Sequence, residues 1–153
     1  FTYNLKSVAD VNGCSQAQSG SAIVTVNNLP TATISGSTSV CKNGTSPIIT
    51  FTGATGLPNY IFTYNINGGS SLTASTTAGS STVTLTVPTG TAGTFTYNLI
   101  SVADVNGCSQ AQSGSAIVTV NNLPTSTIIS YTSVCKNGTS QIITFTGTTG
   151  LQN

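Results

Sequence analysis

FTYNLISVADVNGCSQAQSGSAIVTVN (residues 95–121) decides the fold. At its start Phe95, Tyr97 and Leu99 alternate with Thr96, Asn98 and Ile100, and at its end Ala116, Val118 and Val120 alternate with Ile117, Thr119 and Asn121. Alternation with a period of two is the pattern of a strand with one face buried. Between them lies Asp104-Val-Asn-Gly107, a turn signal. The stretch therefore reads as two antiparallel strands.

The same stretch opens the chain. Residues 1–59 return at 95–153, an offset of 94, and differ at eight aligned positions. A period near 94 is far longer than that of a solenoid and matches a free-standing β-sandwich of about 100 residues. The joint is placed at Asn27-Asn-Leu-Pro30 and its copy Asn121-Asn-Leu-Pro124, where a Pro follows one strong strand and precedes another. This divides the chain into residues 1–28, the end of a preceding module, residues 29–122, a complete module, and residues 123–153, the beginning of a following one. The boundaries suggest a window on a longer polymer.

Seven strands are expected in the complete module: 31–35 (extendable to 40), 48–52 closed by Gly53, 60–67, 71–76, 82–87, 95–103 and 115–121. No segment has a helical period with caps. The expected core is Ile49 and Phe51, Tyr60, Phe62, Tyr64 and Ile66, Val83, Leu85 and Val87, then Phe95, Tyr97 and Leu99, and Ala116, Val118 and Val120. Tyr60, Phe62 and Tyr64 are read as core and not as a sugar-stacking platform. The copies check the register: Lys6 becomes Ile100, which places that position outside, and Ser35 and Ser37 become Ile129 and Tyr131, two residues apart on one face.

Composition narrows the function. Charged residues make up 3% of the 153 and are Lys6, Asp10, Lys42, Asp104 and Lys136, with no Arg, Glu or His. A typical soluble domain carries about 25%. Thr, Ser, Asn and Gly keep the surface polar. The net charge of +1 offers no field for nucleic acid or an anionic membrane, and no apolar run is long enough for a membrane helix. Serines have no His or Glu as base, and the two Asp residues sit at equivalent positions of different modules, so no acid–base pair forms. No catalytic residue and no cofactor are expected.

Three motifs bear on ligands or modification. Asp10 with Asn12, and Asp104 with Asn106, resemble the opening of a calcium loop, yet calcium favours several carboxylates and each module supplies one. The alternative is a tight Asn-Gly turn. Asn43-Gly-Thr45 and Asn137-Gly-Thr139 are glycosylation sequons. Cys14, Cys41, Cys108 and Cys135 give two cysteines per module, before the 48–52 strand and after the 95–103 strand. Without His or Cys-x-x-Cys a metal site is disfavoured, and the pattern reads as disulfides of an exported protein. Pairing of Cys41 with Cys108 within the module is one arrangement. Pairing of each with an adjacent module is the other, because strand parity in an up-and-down sandwich sets the two at opposite ends.

SVCKNGTSPIITFTGATGLPNYIFTYNINGG (residues 39–69) and GTFTYNLISVADVNGCSQAQSG (residues 93–114) resemble the tandem Ig-like or PKD-like repeats of large Bacteroidetes surface proteins, including gliding adhesins. The resemblance runs along the whole chain. It implies all-β, Ig-like antiparallel sandwich modules in tandem and a secreted, cell-surface location. Cys41 and Cys108, with their repeats Cys14 and Cys135, are the positions that match that family's hallmarks. Three functions compete: a non-catalytic structural fibre whose partners are adjacent modules or other copies, an adhesin stalk that binds a glycan or surface ligand, and an accessory module of a secreted glycan-degrading enzyme.

Overall fold

The computed structural model describes residues 1–128, 133–139 and 141–148. The described residues are all-β. The chain opens with four short strands, β1 (Thr2–Asn4), β2 (Ser7–Ala9), β3 (Ser15–Ala17) and β4 (Ser21–Ile23), in which β1 pairs with β4 and β2 with β3, both antiparallel. It closes with β14 (Thr125–Ile128) paired antiparallel to β15 (Phe145–Thr148). The expected outward positions Ile129 and Tyr131 lie outside the described residues.

The centre is built from β5 (Thr31–Ser35), β6 (Thr38–Cys41), β7 (Ile48–Ala54), β8 (Ile61–Ile66), β9 (Leu72–Ser75), β10 (Thr82–Thr86), β11 (Gly93–Ala103), β12 (Ser109–Ala111) and β13 (Ser115–Asn121). One sheet has the order β10-β7-β5. The other has the order β6-β13-β11-β8-β9, with β12 added along the far end of β11. Every pairing is antiparallel except β6 with β13, which is parallel. The connection from β7 to β8 passes from the first sheet to the second, and that from β9 to β10 passes back, so the arrangement is not a simple up-and-down meander.

Two boundaries differ from the sequence reading. The first strand does not run on to residue 40. It ends at Ser35, and Gly36 turns the chain to the other sheet with φ of 115°. That backbone conformation is open to Gly and rarely to other residues, and a Cβ on Gly36 would run into the Ile48 carbonyl. The second expectation, closure of the 48–52 strand by Gly53, is also corrected. Strand β7 continues through Gly53 to Ala54, and Gly53 is needed because the Tyr60 ring lies against it: a Cβ there would sit 2.5 Å from the ring.

The core lies between the two sheets. Ile49, Phe51, Tyr60, Phe62, Tyr64, Val87, Tyr97, Leu99, Ala116, Val118 and Val120 are buried, and Ile66, Val83, Leu85 and Phe95 pack against them. Each alternating set expected to face inward does so. Phe51 anchors the aromatic part, with ring centroids 5.5 Å from Phe62 and 5.1 Å from Tyr64. Burying one large apolar side chain contributes about 1.5–3 kcal/mol, so this cluster is the main stabilising element. Strict alternation along β11 fails at one place. The register against β8 shifts between Leu99 and Ser101, a bulge that inserts one residue. Val102, not Ser101, is therefore the next side chain to enter the core, where it is fully buried.

Candidate functional site

The module's two ends carry the geometry that bears on function. Strand register defines them. Thr31 pairs with Ala54, and Ala103 pairs with Ile61, which puts the start of the module, the loop from β7 to β8 and the turn after β11 at one pole. Cys41 pairs with Asn121, and Gly93 pairs with Val120, which puts the end of β6 and the end of β13 at the other. The chain thus enters the module at one pole and leaves it at the opposite one.

At the entry pole the Asp104 carboxylate is buried and accepts three backbone amides. Its Oδ1 accepts the amides of Asn106 (3.0 Å) and Cys108 (3.0 Å), and its Oδ2 accepts the amide of Leu57 (3.3 Å). The first two bonds make a local Asx turn. The third ties this turn to the loop between β7 and β8. Gly56 fits beneath: a Cβ there would meet Asp104 Oδ2 at 2.8 Å and Pro30 at 3.0 Å. Tyr60 adds a hydroxyl bond to the Gly56 carbonyl at 2.8 Å. Entry chain, loop and turn are locked together around one carboxylate.

This arrangement bears on the calcium-like motif. The oxygens of Asp104 that a cation would need already accept three amide donors. Asp10 makes the matching local bonds, to the amides of Asn12 (3.0 Å) and Cys14 (2.8 Å). Asn12 and Asn106 serve the turn through their backbone amides. No group of three or more His, Cys, Asp or Glu side chains is gathered among the described residues.

At the exit pole the Asn121 carbonyl accepts the Lys42 amide (2.8 Å), and the Thr89 carbonyl accepts the Asn43 amide (2.9 Å). The buried Thr89 hydroxyl donates to the Gly44 carbonyl (2.8 Å). Asn43 and Asn137, the two sequon residues, are exposed and hold left-handed φ of 62° and 69° in their turns. Thr89 and Gln112, whose Oε1 accepts the Ala32 amide (3.2 Å), escaped the sequence reading. Both act on residues distant in the chain, and no local pattern marks them.

All four cysteines are free, and Cys108 is half-buried while the others are exposed. Cys41 and Cys108 stand at opposite poles of the module. Strand β11 runs from one pole to the other with 11 residues, and at about 3.3 Å per residue the two cysteines are about 30 Å apart. A disulfide needs Cα atoms within about 7 Å, so pairing within the module does not fit this register.

The entry pole also meets the preceding joint. Val26, Asn27 and Asn28 line an open cleft of about 240 Å³ with Thr55, Gly56, Leu57, Asp104 and Asn106. Among the described residues no helix is long and apolar enough to cross a membrane. Comparison with known proteins finds no matching family model and no matching curated protein.

Proposed function

We propose that this chain is a non-catalytic structural repeat of an extracellular filament or cell-surface fibre, built from Ig-like modules stacked end to end. The observation that carries the reading is the opposition of the two poles. A module that the chain enters at one end and leaves at the other, joined by Asn121-Asn-Leu-Pro124 to a near-copy of itself, extends in one direction as it repeats. Length grows without new chemistry.

Several features support the finer parts of the proposal. A three-stranded sheet facing a sheet in which β6 runs parallel to β13 is consistent with an Ig-like sandwich. The resemblance to repeats of Bacteroidetes surface proteins gives the same architecture and an exported location. A surface of Thr, Ser and Asn with 3% charge gives little electrostatic repulsion between copies, which suits lateral association. The absence of His and Glu from the sequence leaves acid–base chemistry without two of its usual groups.

Electron microscopy of the native material with helical or tomographic reconstruction tests the proposal. The expected result is a regular filament of sandwich-sized beads whose spacing corresponds to one 94-residue repeat. Flexible strings tethered to cells, without lateral order and ending in a distinct tip, would overturn it in favour of an adhesin stalk.

A further inference from the structure

We propose that consecutive modules are cross-linked by a disulfide between the cysteine at the exit pole of one, Cys41 in the complete module, and the cysteine at the entry pole of the next, the equivalent of Cys108. The proposal rests on the stacked-repeat reading given above, and it adds a covalent brace at every joint.

Three observations place the two thiols together. First, the register separates Cys41 and Cys108 of one module by its whole length, so each cysteine is left at a pole. Second, Cys41 lies beside the outgoing chain: it is the strand partner of Asn121, and the Lys42 amide is bonded to the Asn121 carbonyl. Neighbouring strands run about 4.8 Å apart. Third, the copy of Asn121 in the preceding module is Asn27, and Asn27 lines one cleft with Asp104 and Asn106 of the complete module. The preceding module's counterpart of Cys41, one strand spacing from Asn27, therefore arrives at the turn that holds Cys108. That turn is fixed, because the Cys108 amide is bonded to the buried Asp104 carboxylate. The short joint limits how far the poles can separate: two residues, Asn122 and Leu123, lie between Asn121 and Pro124.

Each bond forms by exchange with a disulfide oxidant of the exported compartment. Two thiols lose their protons and together two electrons, one S–S bond forms between modules, and the oxidant's disulfide is reduced to two thiols. The linkage closes a loop through the joint and reduces the freedom of one module to pivot on the next.

Differential alkylation of a multi-module array tests this. Free thiols are labelled first, then the array is reduced and labelled with a second reagent, and peptides are identified by mass spectrometry. The unmodified array should take up the first label only at its two ends, on the entry-pole cysteine of its first module and the exit-pole cysteine of its last. Cys41→Ser in one module should expose one thiol, in the Val-Asn-Gly-Cys turn of the following module. Cys108→Ser should expose one thiol in the Val-Cys-Lys-Asn-Gly segment of the preceding module, and gives the same test if the first variant fails to fold. Turn copies are told apart by Lys or Ile at the position of Lys6 and Ile100. First label on Cys108 of the module carrying Cys41→Ser, or on every cysteine of the unmodified array, would overturn the cross-link. Micrographs of the same array before and after reduction keep the two ideas separate: filaments without the cross-link remove only the brace, and cross-linked modules without filaments remove only the fibre.

Discussion

Residues 1–28 and 95–122 differ at one position, Lys6 against Ile100, yet they present nearly opposite surfaces. Tyr3 is 63% exposed and Tyr97 3%, and Leu5 is 55% exposed and Leu99 4%. The later copy forms the 11-residue strand β11 against β8, β12 and β13, while the earlier copy forms only the three-residue pieces β1 to β4. What the copies share is local. Leu5 and Leu99 both donate to a glycine carbonyl at 2.9 Å, and Asp10 and Asp104 both hold their turns. Local sequence fixes the hairpin and its turn. Long strands and a buried face require a facing sheet, and residues 29–94 supply one to the later copy.

The largest expected effect comes from cutting the same side chain in both copies. Leu99→Ala should lower the stability of the complete module by about 2–5 kcal/mol, through lost burial and a cavity. Leu5→Ala should change it by no more than about 0.5 kcal/mol. Urea unfolding of the two variants measures the difference. Equal losses would mean that residues 1–28 are buried in a way this structure does not show.

Gly53 and Gly147 extend the comparison to the other end of the chain. A Cβ on Gly53 would press into the Tyr60 ring, whereas among the described residues one on Gly147 would meet the Thr125 carbonyl at 3.9 Å. Gly53→Ala should cost about 1–3 kcal/mol through overpacking. Gly147→Ala should leave unfolding within about 0.5 kcal/mol of the parent.

Asp104 and Asp10 give a smaller contrast. Asp104→Ala should cost about 1–3 kcal/mol, because a buried acceptor for three amides is lost. Asp10→Ala removes two exposed bonds and should cost less than half of that. Hydrogen exchange adds a local readout: the Leu57 amide should lose protection in Asp104→Ala and keep it in Asp10→Ala.

The smallest effect is the alkaline limb of stability. Burial, reinforced by the nearby Tyr64, raises the Tyr97 phenol above its ordinary value of 10.0. A phenol raised in the folded state retains its proton there after the unfolded chain has lost it. Its contribution is therefore fully present below pH 10 and is lost as pH rises from 10 through the raised value. Tyr97→Phe should flatten that limb, as read from denaturant midpoints across the alkaline range.

Much of the sandwich was legible because alternation is a local signal with a direct physical cause. A strand with one wet face must alternate, so Phe62 and Tyr64, Tyr97 and Leu99, and Val118 and Val120 declared themselves. Val102 did not, because a bulge breaks the period and depends on how β11 lies against β8. The switch at Gly36 was hidden for a similar reason: 31–40 reads as one extended segment until its two halves are claimed by different sheets. At the entry pole the Asp-Val-Asn-Gly turn was visible, but the bond from Asp104 to the Leu57 amide joins residues 47 apart and leaves no pattern in the chain.

The sequence by itself determined the all-β class, the 94-residue period, the inward faces, the turns and the number of cysteines per module, since each of these follows from neighbours along the chain. Tertiary structure alone decided which strands share a sheet, where alternation slips, and that Cys41 lies beside Asn121 of the outgoing chain. The reason is geometric. A strand's periodicity says which side is buried, but only the pairing of distant strands sets what lies opposite and at which end.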